Sequence, residues 1–325
     1  MSKQKVFVTR SDFPKCAFTL LSEKFDVECY PFPEKITDKY LLDHIKGAGA
    51  LFCQSTDDIN EKVLDAAGQQ LKIVATMSLG FEHIDISACK KRNIIVTNDA
   101  NPVYVSIVAE YTVGLLLTVA RRFIEADAAV RRGEWTKVWD PTWLVGRGLV
   151  NSTIGIVGMG RIGLAVLERI MAFKINKALY YDVYKPIEKA EALGAHYASF
   201  EELLKESDFV IVNCNLTEEN KGLLGSKAFS LMKSNAVFIN TSRGGIVDQE
   251  ALFEALRNRQ IRAAGIDVMY PEPLPPDHAL LSLPNLVVTP HIAASEELAL
   301  MRNSTITAEN IIEVLEGRPP LTPVF

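Results

Sequence analysis

The chain lacks the marks of several protein classes. It has only five cysteines in 325 residues (Cys16, Cys29, Cys53, Cys89 and Cys214), odd in number and without a C-x-x-C pair. No disulfide framework, metal site or dithiol redox site is therefore expected, and the thiols read as buried groups in a reducing compartment. Lysine and arginine number 35 against 40 acidic residues, for a net charge of −5, and no basic stripe is present to neutralise phosphates. Nucleic acid is not an expected partner. Apolar runs such as 113–120 stop far short of the roughly 18 residues that span a bilayer, so no membrane is expected either. Phe7-Val8 already reads as strand, which leaves no room for a leader peptide, and Pro323-Val324-Phe325 is not a peroxisomal address. The cytoplasm is the expected location. Repeats and low-complexity tracts are missing as well.

What is present is a composition of 48% hydrophobic and 23% charged residues, which fits a globular chain of about two domains. β-Branched runs at 5–9, 27–30, 50–53, 73–76 and 94–97 leave room for one helix between successive members, the pattern of a parallel sheet wrapped by helices. Asn101-Pro102 breaks the series and opens an amphipathic run to residue 122. A second series follows at 153–158, 178–181, 209–212, 236–240, 263–267 and 286–289, and a helix is expected over 297–315. Between them, residues 131–150 carry all three tryptophans, Trp135, Trp139 and Trp143. Large aromatics on a connecting segment pack onto something, either a domain or subunit interface or a ligand.

Gly158-Met159-Gly160-Arg161-Ile162-Gly163 places G-x-G-x-x-G after a strand and at the start of a helix. Gly158 permits the tight turn, Gly160 lets backbone approach a pyrophosphate, and Gly163 allows close helix–strand packing. The amides of Arg161 and Ile162 lie in the first helical turn and point at the anion. The next strand ends in Asp182, 19 residues past Gly163. Its carboxylate can accept hydrogen bonds from ribose hydroxyls and would repel a 2′-phosphate. Three polar residues then stand at consecutive strand ends, where open α/β sheets put their ligand crevice: Arg243, Glu272 on a proline-flanked turn, and His291. A lone histidine is more often structural than catalytic. Together the three supply an anion-binding guanidinium, a proton donor near neutral pH and a carboxylate to support that donor.

Residues 158–163, 240–244, 267–273 and 289–291, in this order, resemble the D-isomer-specific 2-hydroxyacid dehydrogenases, and the resemblance runs from about Lys5 to the carboxyl end. Residues 75–80, 148–153 and 271–278 are most similar to its members that reduce glyoxylate and hydroxypyruvate. The resemblance implies an α/β fold of two doubly wound parallel-sheet domains. A Rossmann cofactor domain (101–292) is inserted into a flavodoxin-like substrate domain (1–100 and 293–325). It implies NAD(P)H-dependent reduction of a small 2-oxo acid (glyoxylate, hydroxypyruvate) to glycolate or D-glycerate by a homodimer. Arg243, Glu272 and His291 take the catalytic roles; Leu79, Gly80, Arg243 and Trp139 bind substrate; Cys214, Thr241 and Asp267 join the glycine motif and Asp182 around the cofactor, Asp267 orienting the carboxamide. D-Lactate or D-3-phosphoglycerate dehydrogenases, and a dinucleotide-sensing corepressor on the same fold, are the alternatives. Two departures stand out. Relatives linked to NADPH lack an acid where this chain has Asp182, so NAD(H) is favoured, with Lys185 as the nearby cation that leaves room for NADP(H). Asn215 replaces a proline common in the family, which implies a local backbone change beside the adenine ribose.

Overall fold

The computed structural model describes residues 3–184 and 187–325. The chain divides into two compact units, Met1–Tyr104 with Ser295–Phe325, and Val105–Ala294. In the first, β1 (Lys5–Val8), β2 (Asp26–Cys29), β3 (Ala48–Cys53), β4 (Ile73–Thr76) and β5 (Ile95–Thr97) form an all-parallel sheet in the order β2-β1-β3-β4-β5. This is the flavodoxin-like order. Every residue of β3 is buried, as expected for a strand with helices on both faces. Leu41, Val63, Leu64 and Ala88 cover one face, and Ala17, Leu21, Ala308, Ile311 and Ile312 cover the other. The second group comes from the helices Lys15–Lys24 and Glu297–Leu315, which lie at opposite ends of the chain.

The second unit holds β6 (Thr153–Val157), β7 (Lys177–Tyr181), β8 (Ala195–Tyr197), β9 (Phe209–Val212), β10 (Val237–Asn240), β11 (Ala263–Ile266) and β12 (Leu286–Val288). Their order, β12-β11-β10-β9-β6-β7-β8, is the doubly wound dinucleotide-binding arrangement with one added strand, and the order reverses between β6 and β9. Register aligns the carboxyl ends: Val157 pairs with Val212, Asn240 with Ile266, and Ile266 with Val288. Gly158, Asn213, Thr241, Asp267 and Thr289 consequently follow one another along a single edge.

Three features differ from the sequence expectations. β8 has only three residues at the sheet edge and no apolar periodicity to announce it. The run from 103 to 122 is a helix Pro102–Ala120, after which Arg122 turns left-handed (φ +58) and a second helix, Phe123–Arg131, begins. That first helix, at 19 residues, is long and apolar enough to cross a membrane by length and composition, although its longest apolar run is short. Its buried residues, from Val108 and Ala109 to Val119 and Ala120, nevertheless make it a core helix here, and Leu115 and Val119 press so closely on β11 that only Gly265 fits there.

Candidate active site

The glycine motif has the shape a pyrophosphate requires. Gly158 adopts φ +93, and a Cβ there would lie 2.4 Å from the Cys214 amide nitrogen; a Cβ on Gly163 would meet the Gly158 carbonyl oxygen at 2.2 Å. Both positions therefore demand glycine. A Cβ on Gly160 would meet nothing within 4 Å, so that glycine leaves the loop open where backbone and anion would approach. Arg161–Met171 follows, capped by Gly160 with no side-chain hydrogen bond, so the first helical turn presents the amides of Ile162 and Gly163 toward the loop where an anion would bind. Asp182, after β7, accepts from the Met159 amide (2.7 Å) and the Tyr184 amide (2.9 Å). It fixes the glycine loop, and a carboxylate has lone pairs remaining for ribose hydroxyls. Lys185 lies outside the described residues. Cys214 packs its backbone on Gly158, and burial, with a contribution from Asp182, pushes its thiol up to about 11. Thr241 shares a 2.7 Å hydrogen bond with Thr112 of the long helix. The residues present fit a dinucleotide.

Farther along the same edge the polar residues converge. His291 Nδ1 lies 2.8 Å from Glu272 Oε2, and the Met269 amide donates to Glu272 Oε1 at 2.8 Å. Burial acts to raise the Glu272 carboxyl, but the hydrogen bonds from His291 and Met269 and the charges of His291 and Arg243 outweigh it and hold the group below the ordinary glutamate range. His291 itself is left-handed (φ +56), a strained conformation for a residue with a side chain. Asp267 holds it there. The His291 amide donates to the Asp267 carbonyl (2.8 Å), and the carboxylate accepts from Ile292 (3.0 Å), Ala293 (2.8 Å), the Thr289 hydroxyl (2.6 Å) and the Tyr111 hydroxyl (3.4 Å). The carboxylate read from sequence as a carboxamide contact is thus fully buried and already accepts four protein donors.

Arg243 follows β10 on a loop shaped by the buried Asn240, whose side chain donates to the Arg243 carbonyl (3.0 Å) and accepts from the Ser242 amide (3.0 Å) and hydroxyl (2.9 Å). A Cβ on Gly244 would fall 2.1 Å from the Met269 backbone, so the Arg243 loop and the Glu272 turn pack directly on each other. In the first unit, Leu79 and Gly80 follow β4. Asn98 donates to the Leu79 carbonyl (2.6 Å) and Ser78 to the Gly80 carbonyl (2.7 Å), which turns both carbonyls toward protein. Trp139 sits on an irregular segment of the second unit; its side chain is 78% exposed and is not packed into the body of that unit. Sequence reasoning missed Asn240 and Tyr111 as supports. A polar residue ending an apolar strand was the available signal for the first; for Tyr111, inside a helix, no signal exists.

The model of the D-isomer specific 2-hydroxyacid dehydrogenase NAD binding domain matches residues 113–293. Human glyoxylate reductase/hydroxypyruvate reductase is 41% identical over 317 residues, 97% of this chain and 96% of that protein. Among solved structures, a protein from Thermus thermophilus superposes with a TM-score of 0.91 at 40% identity, covering 99% of this chain and all of the other. An NADPH-dependent glyoxylate/hydroxypyruvate reductase from Sinorhizobium meliloti, solved with NADP and malonate, gives 0.85 at 28% identity, covering 99% and 97%. With a glycine loop shaped for a dinucleotide, a histidine–glutamate pair beside an arginine, and these matches along nearly its whole length, the chain belongs to the D-isomer-specific 2-hydroxyacid dehydrogenase family.

Proposed function

We propose that the protein reduces a small 2-oxo acid, glyoxylate or hydroxypyruvate, to glycolate or D-glycerate. The observation that carries this reading is the 2.8 Å contact between His291 Nδ1 and Glu272, with Arg243 near enough for its charge to act on Glu272. A bound nicotinamide dinucleotide supplies the hydride for the carbonyl carbon. His291, with Nδ1 committed to Glu272, presents Nε2 to the carbonyl oxygen and donates its proton there as the alcohol forms; solvent then reprotonates it. Arg243 holds the substrate carboxylate and stabilises the charge that develops on the carbonyl oxygen. From the first unit, the backbone amides of Leu79 and Gly80 are our candidates for binding the 2-oxo acid. Residues 158–163, Asp182, Cys214 and Thr241 hold the dinucleotide, and Asp267 serves it only through the histidine turn that it anchors. Asp182 favours NAD(H), since a 2′-phosphate would meet a carboxylate of like charge.

The exposed segment around Trp135, Val138 (96% exposed) and Trp139 supports a homodimer, because a second copy would remove this apolar surface from water. All five cysteines are free, which supports a reducing compartment such as the cytoplasm. Steady-state oxidation of NADH and NADPH against glyoxylate, hydroxypyruvate, pyruvate and 3-phosphohydroxypyruvate tests the proposal. Highest kcat/KM with either of the first two is expected. Preference for pyruvate or the phosphorylated acid would assign a different dehydrogenase, and dinucleotide binding without turnover would favour the corepressor-like alternative.

A further inference from the structure

The turn that carries Glu272 is held from outside the site. Gln249 opens the helix Gln249–Arg257, and its side-chain amide makes two hydrogen bonds to one backbone residue: Nε2 donates to the Tyr270 carbonyl and Oε1 accepts from the Tyr270 amide, both at 2.8 Å. This is the pairing that a neighbouring strand would provide. The Tyr270 side chain is 75% exposed and adds little packing of its own, so the turn relies on these backbone bonds. Tyr270 stands between Met269, whose amide donates to Glu272 Oε1, and Glu272 itself. On its other side the Met269 backbone rests on Gly244, one residue past Arg243. A single stretch after β10, residues 243–249, therefore carries Arg243 at one end and grips the Glu272 turn at the other.

We propose that Gln249 is a positioning residue for the Glu272–His291 pair, an inference that rests on the reductase reading for its kinetic consequence. The two hydrogen bonds to Tyr270 fix where the Glu272 carboxylate lies, and Glu272 fixes the ring of His291. Losing them lets the turn move and lengthens the contact on which proton donation depends. Gln249 acts through the Tyr270 backbone and not on the reacting atoms.

The test uses the full chain with Gln249→Ala and Gln249→Met, the second keeping the side chain's length while removing both hydrogen bonds. Each variant is expected to lower kcat about tenfold, the size of two lost hydrogen bonds of ordinary strength, with KM for the 2-oxo acid and the dinucleotide Kd within about twofold of wild type. In a Glu272→Gln background the same substitutions should lower kcat no further, because the effect passes through that carboxylate. A readout independent of turnover is the ¹³C titration of the Glu272 carboxyl. The charged groups acting on it are His291, across the hydrogen bond, and Arg243, after β10. Loosening the turn should move its midpoint up toward the ordinary glutamate value. Wild-type kcat in Gln249→Met, an additive loss in the Glu272→Gln background, or an unmoved titration would each overturn the proposal. Absence of turnover in the wild-type protein would instead sink the reductase reading, and the titration would still decide whether Gln249 places Glu272.

Discussion

His291 combines a strained backbone with the chemical role proposed for it, so a substitution there must separate the two. Asparagine tolerates the left-handed conformation and cannot act as a general acid. His291→Asn is expected to lower kcat by about 10²–10⁴-fold while the dinucleotide Kd stays within about twofold, measured by steady-state kinetics and fluorescence titration. Turnover near wild type would remove His291 from the chemistry. Its partner has a pH signature. Glu272 is held below its ordinary range in the folded protein, so the stability from this pair is present above the unfolded value of about 4.3 and is lost as pH falls through the lower folded value. Wild type should therefore lose stability relative to Glu272→Gln in that acid window, as urea midpoints across pH would record. Asp182 grips the Met159 amide, and the task proposed for it beyond that is reading the ribose. Asp182→Ser should shift the NADH-to-NADPH ratio of kcat/KM toward NADPH by about tenfold, because removing the carboxylate relieves its repulsion of a 2′-phosphate. An unchanged ratio would mean that the carboxylate serves only the loop.

Among the elements, β5 and the chain's last residues are joined in a way that reaches the Leu79 loop, the proposed substrate contact of the first unit. Pro323 bridges antiparallel to Thr97, the Val324 amide donates to the Val96 carbonyl, and the Thr322 hydroxyl donates to the Asn98 carbonyl at 2.6 Å. Asn310, buried in the helix Glu297–Leu315, accepts from the Leu321 and Thr322 amides and donates to the Thr322 hydroxyl. The tail thus holds Asn98, and Asn98 holds the Leu79 carbonyl. Asn98→Ala is expected to raise KM for the 2-oxo acid by about fivefold, the size of one hydrogen bond, with little change in dinucleotide Kd. An unchanged KM would remove this loop from carboxylate binding. The sequence read the tail only as proline-rich. Its pairing joins residues more than 200 positions apart, and nothing local in either segment encodes such a contact.

The whole molecule has separate hydrophobic cores. The two clusters around the first sheet draw on residues 6–96 and 308–312, and the two around the second on residues 109–280. Among the described residues, each unit thus has buried clusters of its own. A fragment of residues 101–294 is therefore expected to unfold cooperatively, and NADH at about a hundred times its Kd should raise its Tm by roughly 5–10 °C. A fragment without a cooperative transition would show that its core depends on the rest of the chain. Much of this organisation was legible. Parallel strands buried on both faces are written as short β-branched runs, as in β3 and β9, and the glycines of 158–163 are written by sterics, since a Cβ at two of the three positions would strike backbone. Residue types at strand ends likewise put forward Arg243, Glu272 and His291 as candidates. The tertiary structure alone decided how those side chains are held. Asp267 spends its carboxylate on the histidine turn, Gln249 grips Tyr270, and Asn98 grips Leu79, because a hydrogen bond forms between whatever groups the register of distant strands brings within 3 Å. Strand periodicity is a local property of sequence; the meeting of two strand ends is a property of the sheet.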